Sequence, residues 1–118
     1  MKVFHLSDVL TVTTDRLVSN RGIEGAYDIL SFLMGDTVLI HQLSRAKAQC
    51  DPWLKSQFPQ LHKSHPFIIG WMLGLDNLSC NADERSAVIA RCVEALRTHL
   101  QLPEHLPVYQ LPEEPRTK

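Results

Sequence analysis

The sequence predicts an α+β domain in which helix dominates: a compact bundle of five or six helices, with a two-stranded ribbon formed by the chain ends. Three observations carry this. Ile23, Ala26, Tyr27, Leu30, Leu33 and Met34 recur at i, i+3, i+4, i+7, i+10 and i+11, one apolar stripe on a helix. Asn81 opens a long amphipathic run with Asp83 and Glu84 in its first turn and Arg97 and His99 in its last, the charge order a helix dipole favours. Two similar β-compatible runs, VFHL and VYQL, lie near the two ends of the chain.

In order, the short strand run 2–6 is followed by Ser7 and Asp8, an N-cap and a first-turn acid for a helix over 7–12. The β-branched residues from Thr11 to Thr14 weaken helix there, so 13–19 is expected to be a second short helix or an irregular passage. The helix over 22–34 is the expected centre of the stretch 7–50. Gly35 suits its left-handed end, and Asp36 or Thr37 can cap the next helix. Leu39, Leu43, Ala46 and Cys50 share a face and predict that next helix over about 38–49. Asp51-Pro52 predicts a break and a fresh helix over 52–58, ended by Pro59.

Pro66 can start another helix. Its apolar residues Phe67, Ile69, Met72 and Leu73 fit no single stripe, which predicts a segment buried on most sides or docked against something. The last helix ends at Pro103, and LPVYQLP (106–112) supplies the second strand. One domain over 1–112 is expected, with 113–118 as a frayed tail.

Composition excludes several function classes. With 44% hydrophobic residues, 21% charged and a formal net charge of −1, there is neither a basic footprint for nucleic acid nor a polyanionic tract. Arg45, Lys47, Lys55 and Lys63 are too sparse for tight phosphate binding, and Trp53 and Phe58 between them have core spacing. No apolar run is long enough for a membrane helix, and MKVFHLSDVL lacks the shape of a signal peptide. Cys50, Cys80 and Cys92 have no near neighbours of their kind and are expected to be reduced thiols of a cytoplasmic protein. His62 and His65 form the one close histidine pair, short of a zinc pattern, so neither a metal nor another cofactor is expected. Phosphate-loop, dinucleotide and nucleophile-elbow motifs are absent, and no catalytic residue is assigned.

VTTDRLVS (12–19), GAYDILSFLMGD (25–36) and HQLSRA (41–46), with the final amphipathic helix and LPVYQLP, give the chain a second kind of signal. In order and spacing they resemble a family of short, functionally uncharacterised proteins carried by phages, prophages and some bacteria. The middle, 51–80, falls outside the resemblance. The family pattern has Gly where this chain has Asp15, and Pro where it has Ser44. No activity comes with the family. The resemblance implies an accessory protein of a mobile element, and by analogy one that binds and blocks a host defence complex, CRISPR effectors included.

The expected function is therefore a non-enzymatic protein-binding module of anti-CRISPR type, acting on a host protein or complex. Phe67, Ile68, Trp71 and Met72 are the expected contact surface, because aromatic and Met side chains anchor interfaces. Plain core or a homodimer face are that segment's competing uses. Asp36, His41 and Arg45 form the one polar cluster worth probing, with Asp15, Arg16 and Asp28 near Arg45 if the first helices pack together. The alternative function is a small enzyme or a weak nucleic-acid-binding accessory protein.

Overall fold

The computed structural model describes residues 1–62, 65–79 and 81–112. Lys63, Cys80 and the 113–118 segment read as a tail lie outside them. The chain runs β1 (Lys2–His5), α1 (Leu6–Thr13), α2 (Ile23–Met34), a 3-10 turn (Ile40–Gln42), α3 (Leu43–Gln57), a 3-10 turn (Pro59–Leu61), α4 (Pro66–Asp76), α5 (Ala82–Leu100) and β2 (His105–Val108). The α+β, mainly helical architecture and the ribbon of chain ends are as the sequence predicts. β1 and β2 pair antiparallel, Lys2 opposite Val108 and His5 opposite His105.

The most enclosed element is α1, not the longer α2. All eight α1 residues are buried, Ser7, Asp8, Thr11 and Thr13 among them. The β-branched run does not break this helix, because two of its three threonine hydroxyls find backbone partners. Thr11 Oγ1 donates to the Ser7 carbonyl at 2.9 Å and Thr14 Oγ1 to the Leu10 carbonyl at 2.6 Å. Irregular chain follows, where Asp15 takes φ 56°, the left-handed region that favours glycine.

α2 ends as expected. Gly35 has φ 73°, and the Gly35 and Asp36 amides donate to the Phe32 and Ser31 carbonyls. Asp36 does not cap the next helix, because a 3-10 turn intervenes; its Oδ1 accepts from the Thr37 amide at 2.7 Å. The expected break at Asp51-Pro52 is also absent, and α3 runs through to Gln57. A proline inside a helix frees the carbonyl four residues earlier. Here that residue is Ala48, which is exposed like Pro52, so water can satisfy the carbonyl.

Leu6, Leu10, Ile29, Leu30, Leu33 and Leu54 are fully buried where α1, α2 and α3 meet. Each such side chain contributes roughly 1.5–3 kcal/mol through burial. Beyond Val108 the C-terminal run leaves the sheet because side chains claim its backbone. Trp53 Nε1 donates to the Tyr109 carbonyl at 2.7 Å and the Tyr109 amide to Gln57 Oε1 at 3.0 Å. The Leu111 amide then donates to the Leu33 carbonyl.

α4 and α5 form a hairpin, joined by Trp71 Nε1 donating to the Cys92 carbonyl at 2.8 Å. Arg16 grips Asp76 with two nitrogens, at 2.7 and 2.6 Å, and fastens the end of α4 to the 14–16 segment. α5 ends on Gln101 at φ 56°, where its amide closes the last turn. Gln101→Gly is expected to stabilise the protein by about 0.5–1 kcal/mol, measured as a higher melting temperature.

Candidate functional site

The polar face of α1 organises a built polar site. Ser7, Asp8 and Thr11 share that face at i, i+1 and i+4, and the 18–21 loop is laced onto them. The Val18 amide donates to Thr11 Oγ1 at 3.2 Å and the Asn20 amide to Ser7 Oγ at 3.1 Å. Ser19 Oγ donates to Asp8 Oδ1, and Arg21 reaches Asp8 Oδ2 at 2.7 Å. The other arm of the same guanidinium meets Asp28 at 2.9 Å, and Lys2 lies 3.4 Å from Asp28. Asp8 is thus an enclosed carboxylate, its side chain 2% exposed, fully bonded from one loop.

These charges set the acid response. Partial burial alone would raise the Asp28 carboxyl, but Arg21 and Lys2 outweigh it and hold its pKa below the ordinary value. A depressed native pKa adds stability that is present above the unfolded value, about 4, and is lost as pH falls through the native one. The melting temperature is therefore expected to hold from pH 7 to 5 and to drop below pH 4. Asp28→Asn should flatten that drop; an unchanged profile would assign it to other carboxylates, such as Asp76 beneath Arg16.

Above the loop lies a cleft of about 570 Å³. Leu17 and Val18 form one wall; Ile89, Ala90 and Val93 of α5 form the other. His5, Ser7, Glu104 and Arg85 line it as well. Ser7 Oγ is 2.8 Å from His5 Nδ1, and His5 Nε2 is 3.5 Å from Glu104, the order of a nucleophile, a base and its orienting acid. Burial argues against that use. Ser7 is 1% exposed, its hydroxyl already accepts from Asn20, and His5 Nδ1 also accepts from the Ser7 amide. This is the N-cap of α1, and His5 fills the role expected of Ser7.

The expected contact residues of α4 divide between two faces. Ile68, Trp71, Met72 and Leu75 follow i, i+3, i+4 and i+7, the stripe turned toward the body. Ile68 is fully buried and so is core, a correction to its expected place on the surface; Trp71 and Met72 are half-buried. Phe67 is 50% exposed and stacks between the rings of His65 and His99, at 5.6 and 5.0 Å. Ile69 and Leu73, which the sequence reading did not assign to the surface, are 46% and 59% exposed. Gly70 and Gly74 are exposed on the same helix, with open space where a Cβ would be.

Asp36, His41 and Arg45 are all exposed, next to the exposed Leu39 and Ile40. The acids expected near Arg45 pair elsewhere: Asp15 with Lys47 at 3.1 Å, Asp28 with Arg21, and Arg16 goes to Asp76. Lys55 is paired with Asp51, so two cations of the sparse basic run are neutralised locally. Cys50 is buried, which pushes its thiol up to about 12 and leaves it unreactive. Among the described residues there is no cluster of metal-ligating side chains, and no helix is long and apolar enough to cross a membrane.

The polar network around α1 was missed from the sequence, although Ser7-Asp8 and the Ser19-Asn20-Arg21 loop carried its donors and acceptors. Only contact across eleven residues makes them one site. No curated protein and no solved structure matches the chain. A family model, Domain of unknown function (DUF7736), matches residues 4–64, just over half of the 118. That span holds β1 from Phe4, α1, α2, α3 and the Asp8–Arg21–Asp28 network, and stops before α4. The chain belongs to this family of domains of unknown function.

Proposed function

We propose that the chain is a non-enzymatic protein-binding module whose contact face is the outward side of α4. The observation that carries this is the exposed set Phe67, Ile69 and Leu73 on a helix without a charged residue from Pro66 to Leu75. Monomeric proteins seldom leave such a face contiguous unless it meets a partner. Gly70 and Gly74 would let that partner approach the backbone closely. Asp36, His41 and Arg45 around Ile40 supply a second, polar contact area.

The finer reading is a mobile-element inhibitor of a host defence complex in the cytoplasm, anti-CRISPR in type. It is supported by the phage-protein resemblance of the 12–46 words and by the unreactive buried Cys50 and free Cys92 that suit a reducing compartment. The test is affinity capture from a host lysate with wild type, Ile69→Lys and Leu73→Lys. One stoichiometric host complex, lost in both variants at unchanged melting temperature, is the expected result. A wild type that captures nothing and runs as a homodimer by light scattering overturns it.

A further inference from the structure

The cleft between the 17–22 loop and α5 is separate from the outward face of α4, and its chemistry is specific. The face of α5 that lines it, Arg85, Ser86, Ile89, Ala90, Val93 and Glu94, is one helical stripe. Its apolar part faces Leu17 and Val18 across an open gap. A pocket of about 570 Å³ in which Leu17, Val18, Ile89, Ala90 and Val93 are accompanied by serines, Asn20 and ionisable side chains has the size of a small-molecule site.

Charge decides what such a molecule must carry. Four charged or ionisable side chains line the cleft: His5, Arg85, Glu94 and Glu104. Glu94 is held by the Arg97 guanidinium, and Glu104 faces His5 at 3.5 Å. Arg85 has no side-chain partner among the described residues. It also sits near the N-terminal end of α5, where a cation gains nothing from the helix dipole. A guanidinium without a side-chain partner among the described residues, at the N-terminal end of this stripe, complements a carboxylate on an apolar tail.

We infer that this cleft binds a small organic carboxylate, its apolar body between Leu17 and Ile89 and its carboxylate on Arg85. The body displaces water from the facing apolar side chains, and the head forms an ion pair that Arg85 lacks among the described residues. His5 and Ser7 are already bonded to one another and accept no second anion.

The test is amide chemical-shift titration of the full chain with octanoate, and with octylammonium as the matched cation. The expected result is saturable shifts at Ser19, Asn20, Ser86 and Ala90 with octanoate, and binding at least about tenfold weaker for octylammonium. Arg85→Gln should erase that preference. Arg91→Gln, on the exposed outer side of α5, should leave it intact, and Ala90→Trp should block both ligands while the protein stays folded. Absence of saturable shifts at these amides, equal binding of the two ions, or an undiminished preference in Arg85→Gln each overturns the proposal. Failure here leaves capture through α4 untouched, since no α4 residue lines the cleft.

Discussion

Asp8→Ala is expected to destabilise the protein by about 2–3 kcal/mol, a drop in melting temperature of roughly 10–20 °C for a domain of this size. The carboxylate is enclosed beneath the 18–21 loop and takes a hydrogen bond from Ser19 and one from Arg21. Removing it strands the Ser19 hydroxyl in a part-buried site and leaves Arg21 with Asp28 alone. Arg21 is 45% exposed and recovers some hydration, which keeps the figure at the lower end of what a broken buried pair costs. Asp8→Asn keeps an acceptor for Ser19 and is expected to cost only about 1 kcal/mol. Urea unfolding of both variants measures the difference, and hydrogen exchange should show the Asn20 and Arg21 amides opening in Asp8→Ala before the core. A cost below about 0.5 kcal/mol would show that the loop is held by its backbone contacts to Ser7 and Thr11 instead.

This network also marks the boundary of what the sequence discloses. α2 and α5 were legible because apolar period and cap chemistry agree there: Gly35 and Asn81 stand where the caps are found. α1 was half legible. Its β-branched threonines argue against helix locally, and only the back-bonds of Thr11 and Thr14 and the enclosure by neighbouring elements reverse that. Pro52 misled for a related reason: a proline signal is local, whereas exposure of Ala48, which makes it tolerable, is tertiary. In α4 nearly every position is apolar, so hydropathy could not choose between the stripe 68/71/72/75 and its opposite. The pattern alone therefore does not separate the buried Ile68 from the exposed Ile69 and Leu73. Asp15 shows the converse, a single position of positive φ that no apolar pattern could reveal.

Gly25→Ala gives the sharpest test of how closely the network is fitted. At an exposed position inside a helix this change stabilises by about 1 kcal/mol, because alanine restricts the unfolded chain and favours helix. Gly25 is buried in the first turns of α2, under the 18–21 loop. A Cβ there would lie 2.5 Å from Asp8 Oδ1 and would overlap Ser19 Oγ and press on its Cβ at 3.0 Å. Neither neighbour is a free chain end: Ser19 Oγ is bonded to Asp8 and accepts from the Arg21 amide, and Asp8 is also held by Arg21. The methyl group must push the loop off α1 or separate Ser19 from Asp8. The expected net effect is a destabilisation of about 2 kcal/mol, opposite in sign to the propensity rule. Ser19→Ala removes the overlapping oxygen, so Gly25→Ala should cost much less in that background than in wild type. A coupling of about 1 kcal/mol in the double-mutant cycle is the expected signature. Additive effects, or a Gly25→Ala protein as stable as wild type, would mean that α2 can move away from the loop, and that Asp8 is held less tightly than its bonds indicate.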